Sequence, residues 1–432
     1  MTDYRYVGKR IPRYDGMQHV LGMTKYVNDL RFPDMLHIKV WRSPIPSAKI
    51  LNIDTSQAEK VPGVYVVITH KHVPNNRFEA GDYPVLADEE IRYLGQEVVA
   101  VIAEDVDTAR EAVELVRVDL EEREPVLDPF KAMEPDSPKV SPNGNLIPIG
   151  GKTVRQIRKG DFDAAIEKAD YVVEGYYRTQ AQEHSPIETQ VSVAQTDGMG
   201  RTNVWSCMQA LYGTQGGLSG ILKKPMSKVH VTGGVLGGGF GSKNNLHADH
   251  ITAVASLYTN GRHVKWLWTR EEEFVASTHR AATHMFFKDG VTKDGHIIAR
   301  SIRSIRDGGA YYGFNDYVVS KHAYGVAGPY NIPNVKIDSY GVLTNKRPTS
   351  SMRGFGIFQA SFAFDVQMER IAEVTGIDSW RLRFLNAVKD GDTSATQAVL
   401  QNCALIEVMQ AAAERAGIKL DDDLLQISSK EK

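Results

Sequence analysis

Only two cysteines, Cys207 and Cys403, occur in 432 residues, and they lie far apart in the chain. That excludes an internal iron–sulfur cluster or zinc knuckle, so any such redox centre has to reside on another chain. No apolar run approaches the roughly 18 residues that cross a bilayer. The opening Met-Thr-Asp-Tyr-Arg is neither a signal peptide nor a twin-arginine leader. Neither sign of charge predominates: 51 Lys and Arg stand against 53 Asp and Glu, a net charge of −2. Nucleic acid and membrane are therefore not expected partners, and a cytoplasmic location is expected. Ser/His/Asp or Cys/His groupings suited to nucleophilic catalysis are missing, as are internal repeats. Cys207 has no basic motif beside it and reads as a small buried hydrophobe.

What the chain does have is α+β patterning in units separated by punctuation. Residues 1–125 form a first unit in which Leu36-His-Ile-Lys-Val40 and Val64-Tyr-Val-Val-Ile68 read as strands. Val98-Val-Ala-Val-Ile102 is apolar throughout and suits a strand buried on both faces. Asp107 to Val116 reads as a helix, with Ala109, Ala112, Val113 and Val116 on one side. Residues 126–151, rich in Pro and Gly, look like a linker crossing a surface. Residues 152–395 form a second α+β unit that holds the glycine-dense segments. In 396–432, Leu405 to Ala416 is helix-like, and Asp421 to Lys432 is polar and expected to fray.

Chemistry concentrates in the second unit, in Val235-Leu-Gly-Gly-Gly-Phe-Gly-Ser-Lys-Asn-Asn245. Gly241-Ser242-Lys243 is the wrong order for a Walker loop, and Ser242 stands where a dinucleotide fingerprint needs its third glycine. The run follows the strand-like Lys228-Val-His-Val-Thr232. It precedes a helical pattern of Ile251, Val254, Ala255 and Tyr258 that stops at Asn260-Gly261. Strand, glycine turn and helix start together make an anion cradle, since open amides converge where no Cβ intrudes. A tight turn with spare glycines is the plain alternative. Thr349-Ser-Ser-Met-Arg-Gly-Phe-Gly356 repeats the device beside Arg353. His184 and Glu188 have the spacing of half a helical metal site, but Pro186 breaks that helix, so a structural histidine is expected. Gln209 closes the apolar strand Trp205-Ser-Cys-Met-Gln-Ala210 and needs a partner, either an oxo or carbonyl ligand or backbone. Asp307-Gly-Gly-Ala-Tyr-Tyr-Gly-Phe-Asn315, with Tyr317 and Tyr324, suits either a flat aromatic substrate or a core. Lys321 is either a partner for a substrate carboxylate or a solvated lysine.

Taken together, these segments resemble the molybdenum-binding subunit of the xanthine dehydrogenase family of molybdenum hydroxylases, from about residue 8 to 415. The N-terminal part of the likeness rests on Gly22-Met-Thr-Lys-Tyr-Val-Asn-Asp29, Arg42-Ser-Pro44, Pro62-Gly-Val64 and Tyr93-Leu-Gly-Gln-Glu97. The more specific part is Gly237-Gly-Gly-Phe-Gly241 followed by Arg353-Gly-Phe-Gly356, with Thr269-Arg-Glu-Glu272 between them.

The resemblance implies an N-terminal α/β hammerhead domain followed by the first molybdopterin-binding domain. It implies molybdenum with molybdopterin cytosine dinucleotide, shared with a partner chain, and iron–sulfur clusters and FAD on other subunits. Gln209 would face the molybdenum's oxo ligand, with Phe240 and Arg353 close to the metal through their backbones. None of the three would supply a side-chain ligand. Gly238, Gly239, Gly241 and Gly354 would complete the cofactor contacts. Phe355 would stack on substrate. Asn244 and Lys321 stand where purine-oxidising members carry a glutamate and an arginine, which departs from a xanthine site. The loop before Arg353 lacks the cysteine of copper-containing carbon monoxide dehydrogenases. No Gly-Glu pair follows Gly356, so the general base is expected on a second molybdopterin subunit, as in split members. The implied reaction is hydroxylation of an N-heteroaromatic, nicotinate- or purine-like, with water-derived oxygen and electron transfer to [2Fe-2S] and FAD subunits. An aldehyde-oxidising member and a non-catalytic scaffold subunit are the alternatives.

Overall fold

The computed structural model describes residues 4–429, which build three sheets. The largest draws on both halves of the chain. Its seven strands run in the order Val229–Gly233, Thr202–Ser206, Val191–Thr196, Val264–Leu267, Leu36–Arg42, Glu97–Ala103 and Val64–Ile68. Leu36–Arg42 pairs in parallel with Val264–Leu267, Leu36 opposite Val264 and His37 opposite Lys265. One continuous sheet thus crosses the division near residue 125 and joins the first unit to the second. Glu97–Ala103 is buried along its whole length. Alternation explains this: Ala100 and Ile102 enter one core, while Val99 and Val101 enter another on the opposite face.

Helix Val106–Glu114 packs beside these strands, but its cap is Asp105 and not the Asp107 at which the pattern begins. Asp105 keeps an extended backbone, and its Oδ1 accepts from the amides of Asp107 at 2.9 Å and Thr108 at 2.8 Å. Such a cap is worth about 1 kcal/mol. A small sheet of Glu90–Ile91, Ala48–Asp54 and Arg117–Glu122 completes this end.

The second large sheet orders Arg155–Lys159, Asn334–Leu343, Ile297–Gly309, Thr283–Val291 and Tyr171–Thr179. Helix Ile357–Thr375 packs on it through Ala360, Ala363, Phe364, Gln367, Met368 and Ile371, residues that recur at helical spacing. A buried ion pair fixes the position. Arg300 Nε donates to Asp289 Oδ1 at 2.6 Å with both side chains fully buried, and Gln367 Nε2 donates to the other carboxylate oxygen at 2.8 Å. Sliding the helix by a turn would break the Gln367 contact, so this link sets where the helix begins behind Arg353.

Residues 126–151 form a connection that is strapped down by hydrogen bonds. Asn145 accepts from Val140 N at 2.7 Å and donates to the carbonyls of Ala132 and Pro138, and Asn345 Oδ1 accepts from Val126 N at 2.9 Å. The polar tail packs instead of fraying. Leu420 and Leu424 join the cluster of Phe384, Ile406 and Ala413, while Glu407 accepts from Ser429 N at 2.9 Å. Residues 430–432 lie outside the described residues.

Cys207 is buried, with Val191 N donating to its Sγ at 3.4 Å, and burial pushes its thiol up to about 12. Iodoacetamide at about pH 8 should therefore alkylate Cys403 and spare Cys207 in the folded chain. Peptide mapping checks this, and equal labelling would contradict the burial.

Candidate functional site

Strands Thr202–Ser206 and Val229–Gly233 run parallel, with Ser206 opposite Gly233, so their C-terminal ends emerge side by side. Gln209 leaves one end and the glycine run leaves the other. Trp205 to Ala210 is therefore only partly strand: pairing stops at Ser206, and Gln209 lies in a turn before helix Leu211–Leu222. Gln209 Oε1 accepts from Gly241 N at 2.9 Å, and its own amide donates to Lys243 O at 2.8 Å. Its Nε2 has no acceptor among the described residues, which leaves both of its N–H groups for a ligand.

The glycine run is an arch. φ is positive at Gly238 (+99°), Phe240 (+55°) and Gly241 (+115°). The Arg353 loop has the same form, with positive φ at Gly354 (+94°), Phe355 (+51°) and Gly356 (+97°). A phenylalanine in this region is a strained residue that survives only where its surroundings fix it, and such residues gather at functional sites. The two arches are joined. Arg353 N donates to Phe240 O at 2.8 Å, and Ser351 Oγ donates to Gly241 O at 3.1 Å. A Cβ on Gly241 would stand 2.6 Å from Ser351 O, and one on Gly239 would stand 2.5 Å from Gln209 Oε1. These glycines are required by close approach of backbone and amide, beyond their freedom of φ. Among the described residues, the amides of Gly238, Gly239, Phe240 and Gly354 have no acceptor, so four backbone donors are left for a ligand.

Behind the arch lies a clamp. Lys243 is fully buried, its Nζ donating to Glu188 Oε2 at 2.7 Å, and the same oxygen accepts from Gly237 N at 3.0 Å. One carboxylate thus holds both ends of the glycine run. Residues 182–188 are an irregular segment, so no helical His184/Glu188 metal pair forms. His184 Nε2 carries its proton to Ser351 O at 2.8 Å and ties this segment to the second arch. Glu183 beside it would be raised by burial, but His184, Arg347 and Ser277 draw it down to about 2.

Arg353, Asn244, Lys321 and Phe355 take defined places. The backbone of Arg353 is fully engaged, its carbonyl accepting from Arg280 Nη2 at 2.9 Å, so its guanidinium and the Gly354 amide are what it offers a ligand. Asn244 donates through Nδ2 to Ser351 Oγ at 3.1 Å, which leaves Oδ1. Lys321 is exposed on helix Asn315–Gly325, and His322 of the same helix bonds Gly356 O through Nδ1 at 2.9 Å. His322 thus ties this helix to the arch of the half-buried Phe355, while Lys321 faces solvent. The aromatic segment divides. Tyr311 is core, stacked on Tyr83 with centroids 4.1 Å apart, and Asn315 is buried against the carbonyls of Gly308, Tyr311 and Thr349. Tyr317 and Tyr324 are exposed. Of the two readings of this segment, Tyr311 takes the core one, its ring packed with Tyr83 and Tyr93 of the first unit.

Ser351, Arg280 and the Lys243–Glu188 clamp were not singled out by sequence reasoning. One signal existed: apart from histidines, Lys243 is the only charged residue between Lys228 and Asp249, in a stretch otherwise suited to burial.

Comparison with known proteins shows the family. Residues 148–387 match the molybdopterin cofactor-binding domain family, and residues 21–124 match the a/b hammerhead domain of aldehyde oxidase and xanthine dehydrogenase. The large molybdopterin subunit of nicotinate dehydrogenase from Eubacterium barkeri is 34% identical over 418 residues, covering 96% of this chain and 97% of that one. The chain belongs to the xanthine dehydrogenase family of molybdenum hydroxylases. A probable xanthine dehydrogenase subunit from Bacillus subtilis is 34% identical over 88% of this chain but only 51% of its own length. The aldehyde oxidoreductase structure from Desulfovibrio gigas superposes with a TM-score of 0.88 at 29% identity, covering 95% of this chain and 47% of that one. The chain thus spans about half the length of these two family members. The arches with their open amides fit a molybdopterin group, which needs donors for its polar edges and no side chains in its path.

Proposed function

We propose that this chain is the large molybdopterin subunit of a heteromeric molybdenum hydroxylase acting on an N-heteroaromatic substrate. The observation that carries the reading is the joining of two Gly-Phe-Gly arches through Arg353 N and Phe240 O, with four unsatisfied amides beside the free Nε2 of Gln209. When bound, the molybdenum–pterin group supplies a centre that accepts two electrons as water-derived oxygen enters the substrate. In this reading the group is the cytosine dinucleotide form.

The chain's own residues bind and orient. Gln209 Nε2 and the amides of Gly238, Gly239 and Phe240 hold the group's polar edge in fixed directions, with no reorganisation during reaction. Phe355 gives a flat apolar wall for a ring, and Lys321 supplies a cation for a ring carboxylate. The proton-accepting glutamate belongs to a second molybdopterin subunit, and [2Fe-2S] and FAD subunits take up the electrons. Support for the split assembly and for a pyridine-like ring comes from the end-to-end match with a nicotinate dehydrogenase subunit and from a nicotine 6-hydroxylase large subunit at 28% identity. The structural likeness to aldehyde oxidoreductases keeps one second reading, an aldehyde-oxidising member.

Steady-state turnover of nicotinate against a simple aromatic aldehyde by the assembled complex separates the two. Phe355→Ala should raise KM and lower kcat for the ring substrate, by about tenfold in kcat/KM, an effect of stacking size. Lys321→Ala should affect an uncharged ring substrate much less. A Phe355→Ala enzyme with unchanged constants would remove the stacking role.

A further inference from the structure

A loop of the first unit sends one carboxyl group between the segments that carry the two arches. Glu79 Oε1 accepts from Asn245 Nδ2 at 2.7 Å, just past the first arch. Its other oxygen lies against Gly313, where an added Cβ would stand 3.2 Å from Glu79 Oε2 and 3.9 Å from Thr349 O, on the segment that leads to Arg353. The neighbouring residue ties the same place to both arches, since Asn244 Nδ2 donates to Ser351 Oγ and Ser351 Oγ donates to Gly241 O.

Glu79 differs from a carboxylate that serves only to hold a loop. Its φ of +53° lies in the left-handed region, which non-glycine residues rarely occupy. Oε1 is engaged by the fold, whereas Oε2 has no donor among the described residues, and the residue is exposed to solvent. It is nonetheless closely surrounded: desolvation pushes the carboxyl up to about 7, with the Asn245 bond opposing the rise and the charge of Asp82 adding to it. Tyr83, kept neutral by burial, is the other titratable neighbour, while Asn245 and Gly313 bring no charge. Phe314 follows Gly313 with its side chain 37% exposed, its ring 6.4 Å from that of Tyr317, so aromatic surface continues from the same segment.

We infer that Glu79, in its protonated form, donates a hydrogen bond from Oε2 to the ring nitrogen of a heteroaromatic substrate and so selects such rings over their carbocyclic analogues. The inference rests on the N-heteroaromatic reading above and deepens it by naming the residue that recognises the nitrogen. A protonated carboxyl is the one form of this side chain that can donate, and a pyridine-type nitrogen offers only a lone pair. Donation to that nitrogen also draws electron density from the adjacent ring carbons, so the contact strengthens as oxygen enters beside it.

Calorimetric titration of the assembled complex with nicotinate and with benzoate, which differ only in the ring nitrogen, tests the inference without turnover. At about pH 6 nicotinate should bind about fivefold more tightly than benzoate, the effect of one hydrogen bond. The O–H donor is present below the carboxyl's raised value and lost above it, so this preference should fade by about pH 8. Glu79→Gln keeps Oε1 for Asn245 and offers an amide N–H in place of the acid, so its preference should persist at both pH values. Glu79→Leu should bind the two ligands equally. The inference is overturned by a wild type without preference at about pH 6, by a Glu79→Leu complex that keeps the full preference, or by a Glu79→Gln preference that fades with pH as the wild type's does. Should Glu79→Leu fail to assemble, the pH comparison between wild type and Glu79→Gln decides alone. Turnover separates this contact from the broader reading. A complex that oxidises aldehydes but not nicotinate, yet shows the Glu79-dependent preference, contradicts the N-heteroaromatic reading and leaves the contact standing. Nicotinate turnover with an unaltered preference in Glu79→Leu does the reverse.

Discussion

Gly241→Ala should lower the molybdenum and pterin content of the assembled enzyme by about tenfold or more while the chain keeps its secondary structure. At φ +115° an alanine is strained, and its Cβ would lie 2.6 Å from Ser351 O and 3.0 Å from Met352 Cα. Both obstacles are backbone, so no rotamer change relieves them. The crossing of the arches has to open instead, breaking the contacts from Ser351 to Gly241 and from Arg353 to Phe240 and turning the free amides away from one another. Misdirecting two or three hydrogen bonds of about 1 kcal/mol each is enough for a tenfold loss of affinity or more. Gly216→Ala is the control. Nothing lies within 4 Å of a Cβ at that helical position, so the change should leave metal content alone. Metal analysis of both variants with circular dichroism checks the pair. Equal metal content in Gly241→Ala and wild type would show that the arch does not face the cofactor.

Lys243→Met should destabilise the glycine run by about 3–5 kcal/mol, the usual effect of removing one partner from a buried ion pair. Glu188 would be left in the interior with Oε1 already lacking a donor and Oε2 keeping only Gly237 N. Lys243→Met combined with Glu188→Gln removes the stranded charge and should recover at least half of the loss, since the amide oxygen still accepts from Gly237. Thermal unfolding and hydrogen exchange at the Gly237 amide report the two levels separately. Faster exchange in the single variant and protection restored in the double variant are expected. Additive losses would mean that the pair is not coupled and that the arch is held in some other way.

The two predictions turn on features of different visibility in sequence. The glycines were legible because close backbone approach and positive φ leave only one residue type, and repetition of Gly-Phe-Gly 115 positions later marked both arches. Strands such as Val64–Ile68 and Glu97–Ala103 were legible through apolar runs. The clamp was not, because pairing Glu188 with Lys243 joins segments 55 residues apart, and the isolation of Lys243 in an uncharged stretch signals burial without naming its partner. Tyr311 stayed open between two readings for a related reason: an aromatic beside glycines reads the same whether it lines a pocket or stacks on Tyr83 from another domain. The continuous sheet across residue 125 was hidden because parallel pairing of Leu36 with Val264 depends on tertiary placement. The tail's packing was likewise invisible, since Leu420 and Leu424 sit among acids that face solvent.

The central claim is that the paired arches form one wall of a molybdenum–pterin site completed by another chain. Its most direct test is to purify this chain together with a molybdopterin-type partner subunit and to measure molybdenum and the CMP released by acid hydrolysis. The account predicts both in amounts stoichiometric with the chain, and their joint loss in Gly241→Ala. A well-folded complex that contains neither molybdenum nor CMP would contradict it.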